Sequence, residues 1–157
     1  MTVIARKLRS FWNLGPTGRG LVLRFLGTVP LVAIGFQTLG VPRTQSILRR
    51  WSGKTARKLD SATRADLRVT TRKLHGMWLR YLRGKGNCLL ESLTLWALLR
   101  RRGFDCELRV GFKSSEGRLQ GHAWLEDAGI PLNEEAAAAR SYATSPEASC
   151  YDRATKL

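Results

Sequence analysis

At 157 residues, 43% of them hydrophobic and with five Trp, the chain suits one compact domain with a real core and not a disordered polymer. Its net charge of +15 is uneven: residues 1–87 carry 18 Lys or Arg against only Asp60 and Asp66, while residues 88–157 come to −1. A basic front half of that kind suits an anionic partner, whether acidic peptide, phospholipid surface or nucleic acid.

In chain order, Asn13–Gly18 reads as an early turn and Leu21–Gln37 as a helix, kinked or split near Pro30. The apolar run Leu21–Leu39 admits three readings: a buried helix, peripheral membrane contact, or a transmembrane span. Arg24 and Pro30 weigh against the span, and no small-residue cleavage site follows the run to make it a signal peptide. Leu39–Arg43 is a second break. Thr44–Trp51 then carries Ile47, Leu48 and Trp51 at helical spacing. A longer helix begins at Ser61-Ala62-Thr63 and runs to Arg83, with Leu67, Leu74, Met77, Trp78 and Tyr81 inward.

Gly84–Asn87 interrupts. Asn87 is suited to cap a helix from Cys88 to Arg101, and Gly103 to stop it. The period then changes to two. Cys106, Leu108, Val110 and Phe112 alternate as one face of a strand, Ser114–Gly117 turns, and Leu119–Glu126 forms a second strand. After a turn at Asp127-Ala128-Gly129, Ile130–Asn133 reads as a third strand, and the tail from Ala136 as helical before loosening at Ser145-Pro146. No repeat or low-complexity linker divides the chain. The order of elements predicts an α+β fold: a basic helical lead-in over 1–60, then a core over 61–157 with one helix on a small antiparallel sheet.

Three cysteines, Cys88, Cys106 and Cys150, lack paired spacing, which argues against a disulfide framework and for a reducing, cytoplasmic setting. No CxxC or HxxxH pair occurs, so no metal site is expected. Cys88 opens a helix behind a glycine-rich turn, where unpaired N–H groups and partial positive charge lower a thiol's pKa and offer oxyanion donors. His122 sits mid-strand between Gly121 and Ala123, which leave room around its ring. A nucleophilic thiol needs an imidazole within reach and a third group to hold that ring. Cys106 reads as core, Cys150 as incidental, and His75 as a surface residue. Trp96 and Trp124 read as packing residues, and Arg100-Arg101-Arg102 as charge favoured at a helix C-terminus.

The stretch Asn87-Cys88-Leu89-Leu90-Glu91-Ser92-Leu93-Thr94-Leu95-Trp96-Ala97-Leu98-Leu99-Arg100-Arg101-Arg102-Gly103-Phe104 resembles the nucleophile helix of the lasso-peptide leader peptidases, B-type maturation proteins with a transglutaminase-like (papain-like) catalytic part. Cys106–Phe112 resembles the strand that follows. Gly121-His122-Ala123-Trp124-Leu125-Glu126 with Gly129–Asn133 resembles that family's His-Ala-Trp-x-Glu hairpin. The likeness covers about residues 72–135.

The resemblance implies a Cys-His-acid triad, with Cys88 as nucleophile and His122 as base. The third place falls on Glu134, with Asn133 beside it as the competitor. A three-residue loop, Asp127–Gly129, would set Glu134 opposite His122, and a two-residue loop on Asp127-Ala128 would set Asn133 there. The implied reaction is removal of a leader from a ribosomally made precursor peptide, without a cofactor. The implied partners are that precursor, a separate leader-recognition protein and a lasso cyclase. The basic front half would dock that protein, an acidic leader segment or the membrane. Two other classes stay open: an acyltransferase or transamidase on the same triad, and a non-catalytic nucleic-acid-binding module, which charge alone supports.

Overall fold

The computed structural model describes residues 15–53, 59–81, 88–115 and 117–144. The expected cap Asn87, the turn Gly84–Asn87, Cys150 and the Ser145-Pro146 tail lie outside them. Four helices come first: α1 (Pro16–Thr38), α2 (Gly40–Ser52), α3 (Ser61–Tyr81) and α4 (Cys88–Arg101). Strands β1 (Glu107–Ser115), β2 (Arg118–Asp127) and β3 (Ile130–Pro131) follow, then a short α5 (Ala136–Arg140) and β4 (Ala143–Thr144). The antiparallel sheet has the order β3-β2-β1-β4, so the fold is α+β as its sequence predicts.

Helix α4 is the centre of the molecule. Every residue from Leu90 to Leu99 is buried, because α1, α2 and α3 pack against it from one side and the sheet from the other. A helix enclosed in this way cannot be amphipathic. Its buried polar groups must instead bond locally. Thr94 Oγ1 donates to Leu90 O at 2.7 Å, and Ser92 Oγ donates to Ala123 O at 3.0 Å, the second bond tying helix to sheet. Leu93, Leu95, Leu98 and Leu99, each at most 2% exposed, are each worth about 1.5–3 kcal/mol in removal from water. The helix ends as expected: Gly103 takes φ +83°, and Phe104 N–H returns to Leu99 O at 3.0 Å.

Helix α1 runs as one helix through Pro30, so the expected split does not occur. Pro30 lies on the exposed side, while Phe25 and Val32 anchor the helix on either side of it. The break after Thr38 shrinks to Leu39, since α2 already begins at Gly40 (φ +76°) and Pro42 stands in its first turn, where no N–H is needed. Asp60 caps α3, its Oδ2 accepting from Thr63 N–H at 2.9 Å, and Leu67, Leu74 and Trp78 face inward. On β1 the inward face ends early. Cys106 and Leu108 are buried in the core, but Phe112 is 43% exposed because it lies beyond the part of the sheet that α4 covers. Strand β4, which periodicity did not announce, pairs with Gly111 and Phe112 instead.

Candidate active site

Cys88 is the first residue of α4, half-buried, and its helix N-terminus meets β2 near His122 and Ala123. The His122 side chain and the backbone of Ala123 both act on the Cys88 thiol to lower its pKa. His122 Nε2 lies 2.5 Å from Glu134 Oε2. With Nε2–H donating to that carboxylate, the lone pair that can take a thiol proton is on Nδ1. The imidazole thus has the thiol and the carboxylate as its two neighbours.

Their charges reinforce one another. The hydrogen bond to His122 holds the Cys88 thiol below its ordinary pKa, against the opposing effect of burial. Reciprocally, the bond to Cys88 raises His122 above an ordinary histidine, burial opposes this, and Glu134 adds to the rise. Both shifts favour a thiolate–imidazolium pair.

Aromatic rings enclose the imidazole. Tyr142 stacks on His122 at 5.1 Å between centroids and Trp124 at 5.9 Å. Alternation along β2 puts His122, Trp124 and Glu126 on one face, and Trp124 Nε1 donates to Glu126 Oε1 at 2.8 Å. Tyr142 arrives from the turn before β4 and fits only because Gly111, the cross-strand partner of His122, has no side chain. A β-carbon there would stand 2.8 Å from Tyr142 Cβ and 3.0 Å from Trp124.

A family model of the transglutaminase-like superfamily matches residues 31–146. The chain belongs to that superfamily. It is a superfamily of cysteine peptidase and transglutaminase folds. Searches of curated proteins and of solved structures give no match.

Within this transglutaminase-like domain the two competitors for the third position have separate tasks. Glu134 is on the ring. Asn133 is 2% exposed and points into the core, where its Oδ1 accepts from Leu125 N–H at 2.8 Å and its Nδ2 donates to Ser92 Oγ at 3.0 Å. It also hydrogen-bonds Glu91. The hairpin register that delivers Glu134 is neither of the two expected. The loop is Ala128-Gly129, both residues at positive φ (52° and 78°), with Asp127 paired to Ile130.

Three further residues of this transglutaminase-like site escaped the sequence reading. Asp127, expected in a turn, ends β2 with its carboxylate 2% exposed and ion-paired to Arg64 and Arg68 of α3. Burial tends to raise its pKa, but the two guanidinium groups hold it below the usual carboxylate range. Glu91, one helical turn after Cys88, is also buried, at 2% exposure, and lies 2.9 Å from His75 Nδ1. Burial raises its pKa, with His75 pulling the other way. His75 is therefore no plain surface residue: its hydrogen bond with Glu91 joins α3 to α4. None of these pairings has a local signature, since their partners are 16 to 63 residues apart. The arginine run likewise does more than favour a helix end. Arg101 stacks on Trp51, and Arg102 donates to Thr17 O, fastening α1.

Proposed function

We propose that this chain is a cysteine peptidase that removes the leader from a ribosomally synthesised lasso precursor peptide. The observation that carries the peptidase part is the placement of Cys88, at a helix N-terminus beside a His122 ring whose Nε2 is 2.5 Å from Glu134. The substrate class rests on the resemblance of Asn87–Phe104 and of the His122–Glu126 hairpin to the leader peptidases.

In the proposed reaction His122 Nδ1 holds the thiol proton and Cys88 Sγ attacks the scissile carbonyl carbon. The oxyanion that forms is met by the Cys88 backbone N–H, which opens the helix and so has no acceptor within it. As the C–N bond breaks, the proton on Nδ1 passes to the departing amine, which leaves as the N-terminus of the core peptide. Water then enters, gives a proton to His122 and its hydroxyl to the thioester, and frees the leader carboxylate and the thiol. Glu134 keeps its hydrogen bond to Nε2–H throughout and stabilises the imidazolium. The partners of this reading are the precursor, a separate leader-recognition protein and the cyclase that takes the released amine. A cytoplasmic place accords with three cysteines that lack paired spacing in the sequence.

A second reading keeps the site and changes the last step: an amine resolves the thioester, giving an acyltransferase or transamidase. The superfamily's inclusion of transglutaminase folds favours keeping it in view. Intact-mass measurement of a candidate precursor, incubated with the protein and its leader-binding partner, separates the readings. Hydrolysis at one bond adds 18 Da of water across the two products combined, whereas transfer leaves an acyl–amine adduct. Either activity should vanish in Cys88→Ala and His122→Ala. Cleavage that survives Cys88→Ala rules out this mechanism.

A further inference from the structure

Helix α1 is apolar on two sides, and only one of them is used. Leu21, Phe25 and Val32 are buried against the helices behind it. On the other side Leu23, Leu26, Leu31 and Ile34 are 62%, 49%, 68% and 57% exposed. With Gly27 and Pro30 they recur at the spacing of one continuous helical stripe. The helix has a mean hydropathy of 1.6 over its most apolar window, yet only 17% of that window is buried. Soluble surfaces seldom leave a stripe of large aliphatic residues open in this way.

The charge around the stripe says what covers it. Between residues 15 and 59 the described part of the chain holds five Arg, at positions 19, 24, 43, 49 and 50, and no acid, Asp60 being the earliest. Arg24 flanks the stripe on α1 itself, and Arg43 and Arg50 are exposed on α2, as are Ile47 and Trp51. An uncharged protein groove would match the leucines but leave these arginines unanswered. Anionic lipid answers both, taking the aliphatic side chains into its acyl boundary and the guanidinium groups at its phosphates. A spanning arrangement is ruled out by the packing, because α1 gives its opposite face to the domain core. We propose that this chain binds the surface of an anionic bilayer through the outer face of α1, with the helix lying in the membrane plane.

Flotation of the full-length Cys88→Ala protein with phosphatidylcholine vesicles, with and without phosphatidylglycerol, tests this apart from any peptidase activity. The protein should float with the anionic vesicles at low salt, and at least about tenfold less with neutral vesicles or at high salt. Leu31→Glu/Ile34→Glu alters only exposed positions and should keep the wild-type circular dichroism while losing about tenfold or more in vesicle affinity. The proposal fails if the protein stays at the bottom with anionic vesicles at low salt, or if the double variant floats as the wild type does. It fails equally if light scattering shows a dimer that the double variant abolishes and no vesicle binding occurs, since a second copy would then be the cover.

Discussion

His122 Nε2 and Glu134 Oε2 are 2.5 Å apart although the strand ladder does not place their residues opposite one another. Continued past Pro131, a register that pairs Asp127 with Ile130 would bring residue 135 across from His122. The ladder ends first. Leu132 N–H still reaches Leu125 O at 2.8 Å, but Leu125 N–H is taken by the Asn133 side chain in place of a backbone carbonyl. The chain bends there, and Glu134 swings onto the ring. Asn133 sets the bend and Glu134 uses it.

Removing the carboxylate should therefore act on the imidazole specifically. Glu134→Ala is expected to lower turnover by about 10²-fold or more, by analogy with the loss of any group that fixes a catalytic imidazole. Because Glu134 contributes to the raised pKa of His122, the alkaline limb of the pH–rate profile should move to lower pH. An unmoved alkaline limb would mean that the short contact has no part in the chemistry.

Cys88 should react as a thiolate well below the ordinary thiol pKa of about 8.5. Its own pKa is depressed by its interaction with His122 and that of His122 is raised, so both shifts widen the range in which the reactive ion pair is populated. The rate of iodoacetamide alkylation at Cys88, followed by peptide mass spectrometry, should already be high at neutral pH. In His122→Ala it should rise only near the ordinary value. The buried Cys106, 2% exposed, serves as an unreactive internal reference.

Asn133→Ala should cost stability in addition to any effect on rate. It strips partners from Leu125 N–H and from Ser92 in a dry core, an expected loss of about 2–4 kcal/mol in urea unfolding. Glu134→Ala, at a half-buried position, should unfold within about 1 kcal/mol of the wild type. Equal losses in the two variants would contradict this division of labour.

Asp127→Asn should loosen the hairpin from α3. The arginines are 39% exposed, so solvent screening reduces what the pairs contribute, and a loss of about 1–3 kcal/mol is expected. The folded pKa of Asp127 lies below its unfolded value. Its contribution is hence fully present above the unfolded value of about 3.9 and disappears as pH falls through the folded one. Unfolding followed from pH 7 to 2 should show this part of the acid destabilisation in the wild type and not in Asp127→Asn.

Much of the fold was legible in local pattern. The Cys88–Arg101 helix, its Gly103 stop and the alternation through His122 are short-range consequences of backbone propensity and period, and they hold wherever the segment sits. Even so, period alone misplaced Phe112, because which part of a strand is covered depends on how far a helix extends over it. Pro30 does not split α1, since packing on either side of it holds the helix together.

By itself the sequence determined the kinds of groups available: one thiol at a helix start, one histidine in a strand, adjacent Asn133 and Glu134, and a front half without acid before Asp60. Only the tertiary structure decided their partners. The choice between Asn133 and Glu134 turned on where a two-strand ladder stops, Tyr142 reached the ring through a gap left by Gly111, and Asp127 and Glu91 found partners on α3. Covalent order constrains neighbours over a few residues. The contacts that position a proton or pair a buried charge join atoms far apart in the chain, and packing of the core brings them together.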